Sequence, residues 1–465
     1  MAVLYGHAFF FLPSRKCPQN ANSGVLDAPF RRPVASSVRC RLENAKIASF
    51  VLVSPATNID PEVTMALANP QRDVGVGVEL DRDSVVAGDV DPFGPLHILA
   101  FENARLGAKA ILVTHNIDRG PAIGGCRFAP DVTPREVYEL ARAMTWKNAA
   151  ALIPHGGAKS AIVANPADFP QGSPQRRELI EWYAECVAPY AEYIPGPDMG
   201  TDERDMDIIF ERNARSIGRT DGIPLDTLGL TALGVMHTLK LLVEGGFVEG
   251  LEKVDGATMS VEGFGNVGAS LARFAAQDGV RLVAASDLPD ASRNYGGVVY
   301  HPEGLDLSKL LALRDAGKSI IETDQPGVQV FAGKSELKRI FSFEADVVVP
   351  AARTNSVDLE TAKTMRTKLV LEAANAPLTD EAEQYLHDHG VIVGTDYIVN
   401  CGGVIGGAEG WAELQHPLDS LRIPAAVARI ITAVTKNIPA IHELSRSKGI
   451  TPRAAAAEIV EARIG

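Results

Sequence analysis

Lys147 and Lys159 stand twelve residues apart, each near glycine-rich sequence. Gly120-Pro121-Ala122-Ile123-Gly124-Gly125 lies upstream of both, and Pro154-His155-Gly156-Gly157 lies between them. A lysine after two glycines can sit against backbone and ligand with little steric cover. A lone lysine on a helix flank ordinarily runs its stem along the surface to water. Two isolated cations among these glycines point instead to a backbone folded closely around a small anion.

A second constellation lies downstream. Gly263-Phe264-Gly265-Asn266-Val267-Gly268 is a GxGxxG run, weak by itself. Here it follows a strand-like segment and opens a helix-like one, and an acid, Asp287, comes 24 residues after Gly263 at the end of the next strand. That context makes it a dinucleotide site. Gly263 permits the tight turn, Gly265 lets backbone approach a pyrophosphate, and Gly268 lets the helix pack closely. The helix N-terminus faces the negative charge. Asp287 is placed to accept hydrogen bonds from the adenosine ribose and to repel a 2′-phosphate. This favours NAD and does not exclude NADP, because Arg293 and Lys309 stand near enough in sequence to offset the charge.

The elements that must carry these residues follow from local pattern. Thr133-Pro134-Arg135-Glu136 is a capping box with proline at the first helical position. Val137, Leu140, Ala141, Met144 and Ala151 recur at helical spacing, so Lys147 lies on the flank of an apolar stripe beside Leu140 and Met144. That helix stops near Pro154. Upstream, His97–Phe101 and Ala110–Thr114 read as paired strands around Gly107. Pro121–Arg127 reads as a glycine-rich loop, and the strand after Lys159 as the short run Ala161–Val163. A helix is expected from Ser173-Pro174 to about Tyr193. A rigid loop, Pro195–Thr201, follows, with Thr201 capping a helix over Asp205–Phe210. Residues 219–230 are loose and mark a hinge. A long helix opens at Leu230 and ends at Gly245-Gly246. Strands at Thr258–Val261, Arg281–Ser286, Ala345–Val349, Lys368–Leu371 and Val391–Val393 alternate with helices, the pattern of a doubly wound parallel sheet. From Asn400 onward the pattern is helical. The fold class is α/β with two domains, a substrate domain over 91–222 and a Rossmann-type dinucleotide-binding domain over 223–399.

Composition narrows the partners. The chain has 465 residues and a formal charge of −13, which disfavours nucleic acid and anionic membranes. No apolar run of about 18 residues suggests a spanning helix. Cys17, Cys40, Cys126, Cys186 and Cys401 form no CxxC or His/Cys cluster, so free thiols and no metal site are expected. Residues 1–42 differ from the rest: six basic residues face one acid, Asp27, giving +5. That is the composition of an organellar transit peptide. A disordered tail or an early start codon gives the same pattern, and on those readings the protein is cytoplasmic. Residues 43–90 complete a poorly defined N-terminal extension.

The motifs GPAIGGCRF (120–128), MTWKNAAA (144–151), PHGGAKSAI (154–162) and PGPDMGTDERDMD (195–207) resemble those of the glutamate/leucine/phenylalanine/valine dehydrogenases. GFGNVG (263–268), VVVPAA (347–352), LEAANAPLT (371–379) and NCGGV (400–404) continue the resemblance in the same order. It implies reversible oxidative deamination of an L-amino acid to a 2-oxo acid and ammonia, with a nicotinamide dinucleotide. It also implies a homo-oligomer and packing of residues 400–465 back on the first domain. By motif matching Lys147 holds the substrate carboxylate, and Lys159 and Asp198 are catalytic. Thr231, Asn266, Ala351, Asn375 and Asn400 line the nicotinamide end. A lysine acts as a base only when its pKa falls well below about 10.4, and enclosure beside a second cation works in that direction. Arg127 reads as structural.

The resemblance also bears on the substrate. Glutamate dehydrogenases carry a lysine where this chain has Ile123, just before Gly124, and a serine where it has Gly407. Both contacts to a second carboxylate are missing, and Gly406 and Gly407 leave room for a large apolar side chain; Met144 and Gly124 are further substrate-binding candidates. The leucine/phenylalanine/valine branch is therefore the nearer one, with glutamate as the alternative substrate. One departure weakens this: that branch often has Asn-Asn where this chain has Asn375-Ala376. A catalytically silent cofactor-binding paralogue is the non-enzymatic alternative, against which Lys159 and Asp198 both stand.

Overall fold

The computed structural model describes residues 77–86, 88, 92–223, 225–290, 293–415 and 422–464. The segment read as a transit peptide lies outside them.

The first sheet has six strands: β1 (Val78–Glu79), β2 (His97–Asn103), β3 (Ala108–Asn116), β4 (Ala122–Phe128), β5 (Gly156–Val163) and β6 (Tyr193–Pro197), in the order β1-β2-β3-β5-β4-β6. β2 and β3 form the expected antiparallel pair, Ile98 opposite Val113, with Gly107 at φ +61° in the turn. β1 pairs with β2, so the sheet begins inside the stretch read as an undefined lead-in.

Three segments expected to be loops are strands. The glycine-rich run is β4, Gly156–Lys159 lies inside β5, and Pro195–Pro197 ends β6, parallel to β4. Glycine weakens strand propensity, which is why these runs read as loops. Their glycines serve close packing. A Cβ on Gly124 would overlap the Ala158 carbonyl, one on Gly156 the Asn116 carbonyl, and one on Gly157 the backbone of Thr145. They let β4, β5 and the helix behind them come together.

That helix, Pro134–Ala150, starts as expected, the Thr133 side chain accepting from the Glu136 amide. Glu136 does not return the capping bond; its carboxylate takes Arg127 Nη1 at 2.6 Å. The next helix, Pro174–Val187, ends earlier than predicted because Tyr193 begins β6. Helix Glu203–Asn213 is capped by Asp202 in a full capping box with Asp205. Thr201 is not the cap: its hydroxyl donates to the Cys126 carbonyl at 2.8 Å, tying the Asp198 turn to β4.

The second sheet runs β10-β9-β8-β7-β11-β12-β13. Its strands are β7 (Thr258–Glu262), β8 (Arg281–Asp290), β9 (Tyr295–Tyr300), β10 (Gln329–Ala332), β11 (Val347–Pro350), β12 (Leu369–Leu371) and β13 (Ile392–Gly394). The five predicted strands form its parallel core, with the order reversing at β7. Such a switch point opens a ligand crevice at the strands' C-terminal ends. β9 and β10 add an antiparallel edge that the sequence reading missed. β9 contains Gly296 and Gly297, and β10 is largely exposed, so neither shows strand alternation.

Helices Gly402–Gln415, Arg422–Lys448 and Pro452–Ile464 close the chain. They return to the first domain: Asn437 Nδ2 donates to the Ala150 carbonyl at 2.9 Å, and Arg463 Nη1 to the Ala149 carbonyl at 3.5 Å. They also pack on helix Leu230–Glu244, where Val235, Leu239, Ile430 and Val434 share one buried cluster with Trp146. Cys126, Cys186 and Cys401 are buried and free. Among the described residues no helix is long and apolar enough to cross a membrane.

Candidate active site

β4 and β5 bring the two lysines' surroundings together. Along β4, Ile123, Gly125 and Arg127 share one face. Gly125 is the residue that opens the site. A Cβ there would lie 2.8 Å from Asp198 Cβ and 3.2 Å from Lys159 Nζ. The sequence reading gave this place to Gly124, whose Cβ direction meets β5 instead.

Lys159, on β5, is 5% exposed. Its Nζ donates to Asp198 Oδ1 at 2.8 Å. Asp198 Oδ2 accepts from Arg127 Nε at 2.9 Å, and Arg127 continues to Glu136. The result is an alternating chain, Lys159–Asp198–Arg127–Glu136. Burial alone pushes the Asp198 carboxyl up, but Lys159 and Arg127 together outweigh it and hold the group below the usual carboxylate range. Arg127 belongs to the site through this bridge. Period-two alternation on β4 would have revealed it, had the run been read as a strand.

Lys147 lies in the last turn of its helix and is 9% exposed. Its Nζ donates to Asn375 Oδ1, which stands just beyond β12 of the second sheet, so the bond crosses the cleft between domains. Burial pushes the Lys147 ammonium below the usual lysine range; Lys159 adds to this and Asp396 partly opposes it. Asn400 Nδ2 donates to the carbonyls of Ala373 and Ala374 and reaches Asn375 Oδ1 at 3.5 Å. Thr231 stands in the first turn of helix Leu230–Glu244 with its hydroxyl near Gly403. Met144 is half-buried one turn before Lys147.

Ile123 is 2% exposed and shares a buried cluster with Trp146, Ile194 and Ile217. Gly406 and Gly407 line a cavity of about 220 Å³, but the space directly over each is occupied. Ile217 Cδ1 lies 2.6 Å from where a Cβ on Gly407 would be, and Leu225 and Leu230 fill the space over Gly406. Sequence spacing could not show this, since Ile217 and Gly407 are 190 residues apart.

The crevice beside β7 suits a dinucleotide. Gly263 has φ +86°, and Gly268 turns its Cβ position onto the Gly263 carbonyl. A Cβ on Gly265 would meet nothing within 4 Å. Helix Asn266–Gln277 opens there without a side-chain cap, leaving its first amides for an anion. Phe264 is buried and Val267 partly so. Ala351, just after β11, donates its amide to the Glu262 carbonyl at 3.0 Å and so lies against this turn. Arg314, not foreseen, donates to Asn266 Oδ1 at 2.7 Å and adds a cation beside the helix start. Asp287 is half-buried: Ser319 Oγ donates to Oδ1 at 2.6 Å and the Ile320 amide to Oδ2 at 2.9 Å, which leaves each oxygen a further lone pair for a ribose hydroxyl. Burial pushes its carboxyl up.

Sequence and structure comparisons identify the family. The sequence model of the glutamate/leucine/phenylalanine/valine dehydrogenases matches residues 222–463, and that of their dimerisation domain matches residues 102–215. An NADP-specific glutamate dehydrogenase of Saccharolobus shibatae is 29% identical over 72% of this chain and 78% of its own length. A glutamate dehydrogenase of Aeropyrum pernix is 33% identical over 74% of this chain and 77% of its own. Among solved structures, the hetero-hexameric glutamate dehydrogenase of Thermus thermophilus in a leucine-bound form aligns with TM-score 0.65 and 27% identity, covering 80% of this chain and 88% of that one. The chain therefore belongs to the glutamate/leucine/phenylalanine/valine dehydrogenase family and is an NAD(P)-dependent amino acid dehydrogenase.

Proposed function

We propose that the enzyme interconverts an L-amino acid with its 2-oxo acid and ammonia in the cleft between Lys159 and Asn375. The observation that carries this reading is a pair of buried lysines, Lys159 bonded to Asp198 and Lys147 reaching across the cleft to Asn375 of the second domain. Lys147 exchanges its bond to Asn375 for the substrate carboxylate, or shares it. A bound nicotinamide dinucleotide supplies the acceptor for the hydride on Cα. Lys159 and Asp198 exchange the protons that water addition and ammonia loss set moving. Asp198, held ionised between two cations, serves as the acceptor in that exchange. The dimerisation-domain match supports a homo-oligomer, which sedimentation of the purified protein tests.

We assign an apolar side chain to the preferred substrate. Ile123 and Ile217 occupy the two places where a second carboxylate would need polar partners, and burying that charge without one costs several kcal/mol. An aliphatic chain instead gains roughly 1.5–3 kcal/mol there. Initial rates over the twenty L-amino acids at alkaline pH should rank leucine-like or phenylalanine-like substrates above glutamate by about tenfold or more. Ile123→Lys combined with Gly407→Ser should raise glutamate turnover and lower leucine turnover, once Ile217 yields to the new side chain. A parent enzyme that prefers glutamate overturns the assignment.

Glutamate is a serious second reading. The curated relatives above carry that name. Arg219 also lines a cavity of about 220 Å³ together with Ile217, Gly406 and Gly407. It pairs with the exposed Asp221 at 3.0 Å, a contact a substrate carboxylate can replace. Arg219→Leu should depress glutamate turnover on this reading and leave leucine turnover unchanged on the first.

For the cofactor we favour NAD. The cations that could shield Asp287 are engaged elsewhere, Arg293 with Asp290 and Lys309 with Asp324. NAD should be reduced faster than NADP, and Asp287→Ser should shift the ratio towards NADP. Equal rates with both cofactors in the parent enzyme sink this assignment.

A further inference from the structure

Three buried acids gather around the half-buried Arg453 where the last helix meets the second sheet. Arg453, in the first turn of helix Pro452–Ile464, donates to three carboxylates: Nη2 to Glu372 Oε2 at 2.6 Å, Nε to Glu383 Oε2 at 2.9 Å and Nη1 to Asp396 Oδ1 at 2.9 Å. Its guanidinium also lies over the Tyr397 ring, 5.2 Å from the centroid. All three carboxylates are buried. One guanidinium against three acids is a poor device for stability alone, because apolar side chains of similar volume hold a helix as well or better. Burial pushes the Glu372 carboxyl up; Arg453 opposes this, and Asp396 and Glu383 add to it.

Besides the direct pull of Asp396 on Lys147, a hydrogen-bonded route runs from the cluster to the cleft. Asp396 Oδ2 accepts from the Ala376 amide at 2.9 Å. Ala376 has φ +42°, a left-handed conformation in which alanine is strained and glycine or asparagine is easier. Two bonds hold it there: the charge-assisted one that its amide gives to Asp396, and the one that its carbonyl accepts from the Asn355 amide at 2.9 Å. The residue before it is Asn375, whose Oδ1 receives Lys147. Arg453 thus fixes Asp396, Asp396 fixes the strained turn, and the turn aims Asn375.

We propose that Arg453 is a positioning residue for the substrate carboxylate, acting through Asp396 and the Ala376 amide on Asn375 and so on Lys147. This rests on Lys147 being the carboxylate clamp. Nothing local in the sequence marks it, since Arg453 lies beyond the last motif and its partners come from three separate elements.

The test compares Michaelis constants for the amino acid and for NAD in four single variants and one double variant. Asp396→Asn keeps the side-chain shape but loses the charge. Arg453→Lys keeps a charge that cannot fork to three carboxylates. Both should raise the KM for the amino acid and the 2-oxo acid by about tenfold. The KM for NAD should stay near the parent value. Residues acting in series are not additive. The effect of Asp396→Asn should therefore vanish in an Asn375→Ala background. Asp396→Asn that lowers the melting temperature without moving the amino-acid KM overturns the proposal, as does an undiminished effect in the Asn375→Ala background. Lys147→Ala, run in parallel, separates the two layers. If it leaves the amino-acid KM unchanged, the clamp reading falls and this inference with it. If it raises that KM while Asp396→Asn and Arg453→Lys do not, only the inference falls.

Discussion

Lys159→Ala should lower kcat by about 10²–10⁴-fold, the usual worth of a positioned acid–base group. NAD affinity, measured by calorimetric titration, should hold, because the Gly263–Gly268 turn belongs to the other sheet. The fold should survive as well. Removing Lys159 does not orphan Asp198, whose Oδ2 still accepts from Arg127 Nε at 2.9 Å. The loss is one charge-assisted hydrogen bond, of the order of 1.5–3 kcal/mol, rather than an unpaired buried charge. The side chain itself points at the gap over Gly125, so alanine leaves space where water can enter. A variant that keeps more than about a tenth of the parent rate contradicts a proton-transfer role for Lys159.

Much of this was legible in local pattern. The parallel core of the second sheet announces itself in runs such as Val347–Val349, and GFGNVG in its strand–turn–helix setting. Lys147, Lys159 and Asp198 were legible because they sit in motifs, and the structure brings all three to one cleft. What could not be read follows from how the glycines are used. In β4 and β5 they thin the backbone so that strands and helix approach, and that same thinning erased the alternation from which Arg127 and Gly125 would have been placed. Gly296 and Gly297 hid β9 in the same way. The filling of the space over Gly407 by Ile217, and the link from Arg453 to Asp396, join residues with no periodic relation at all. Such contacts are set by how whole elements pack.

Asp198→Asn should cost turnover on the same scale as Lys159→Ala, by a different route. Asparagine can present its carbonyl to only one of the two cations that flank this position. The other, Lys159 or Arg127, then faces an amide NH₂; Arg127 would keep Glu136, but the buried Lys159 would lose its ion pair. The proton acceptor beside Lys159 is also gone. kcat should therefore fall with the KM for the amino acid little changed; a change confined to KM would make Asp198 a positioning group rather than a proton acceptor. The sign of the pH dependence gives an independent check. A carboxyl held below its ordinary value contributes stability that is fully present above the unfolded pKa, near 3.9, and is lost as pH falls through the lower folded value. Asparagine does not titrate. The parent should thus be more stable than Asp198→Asn at neutral pH, and the gap in melting temperature should narrow as pH drops below about 4. A gap that stays constant down to acid conditions would mean that Lys159 and Arg127 do not hold Asp198 ionised.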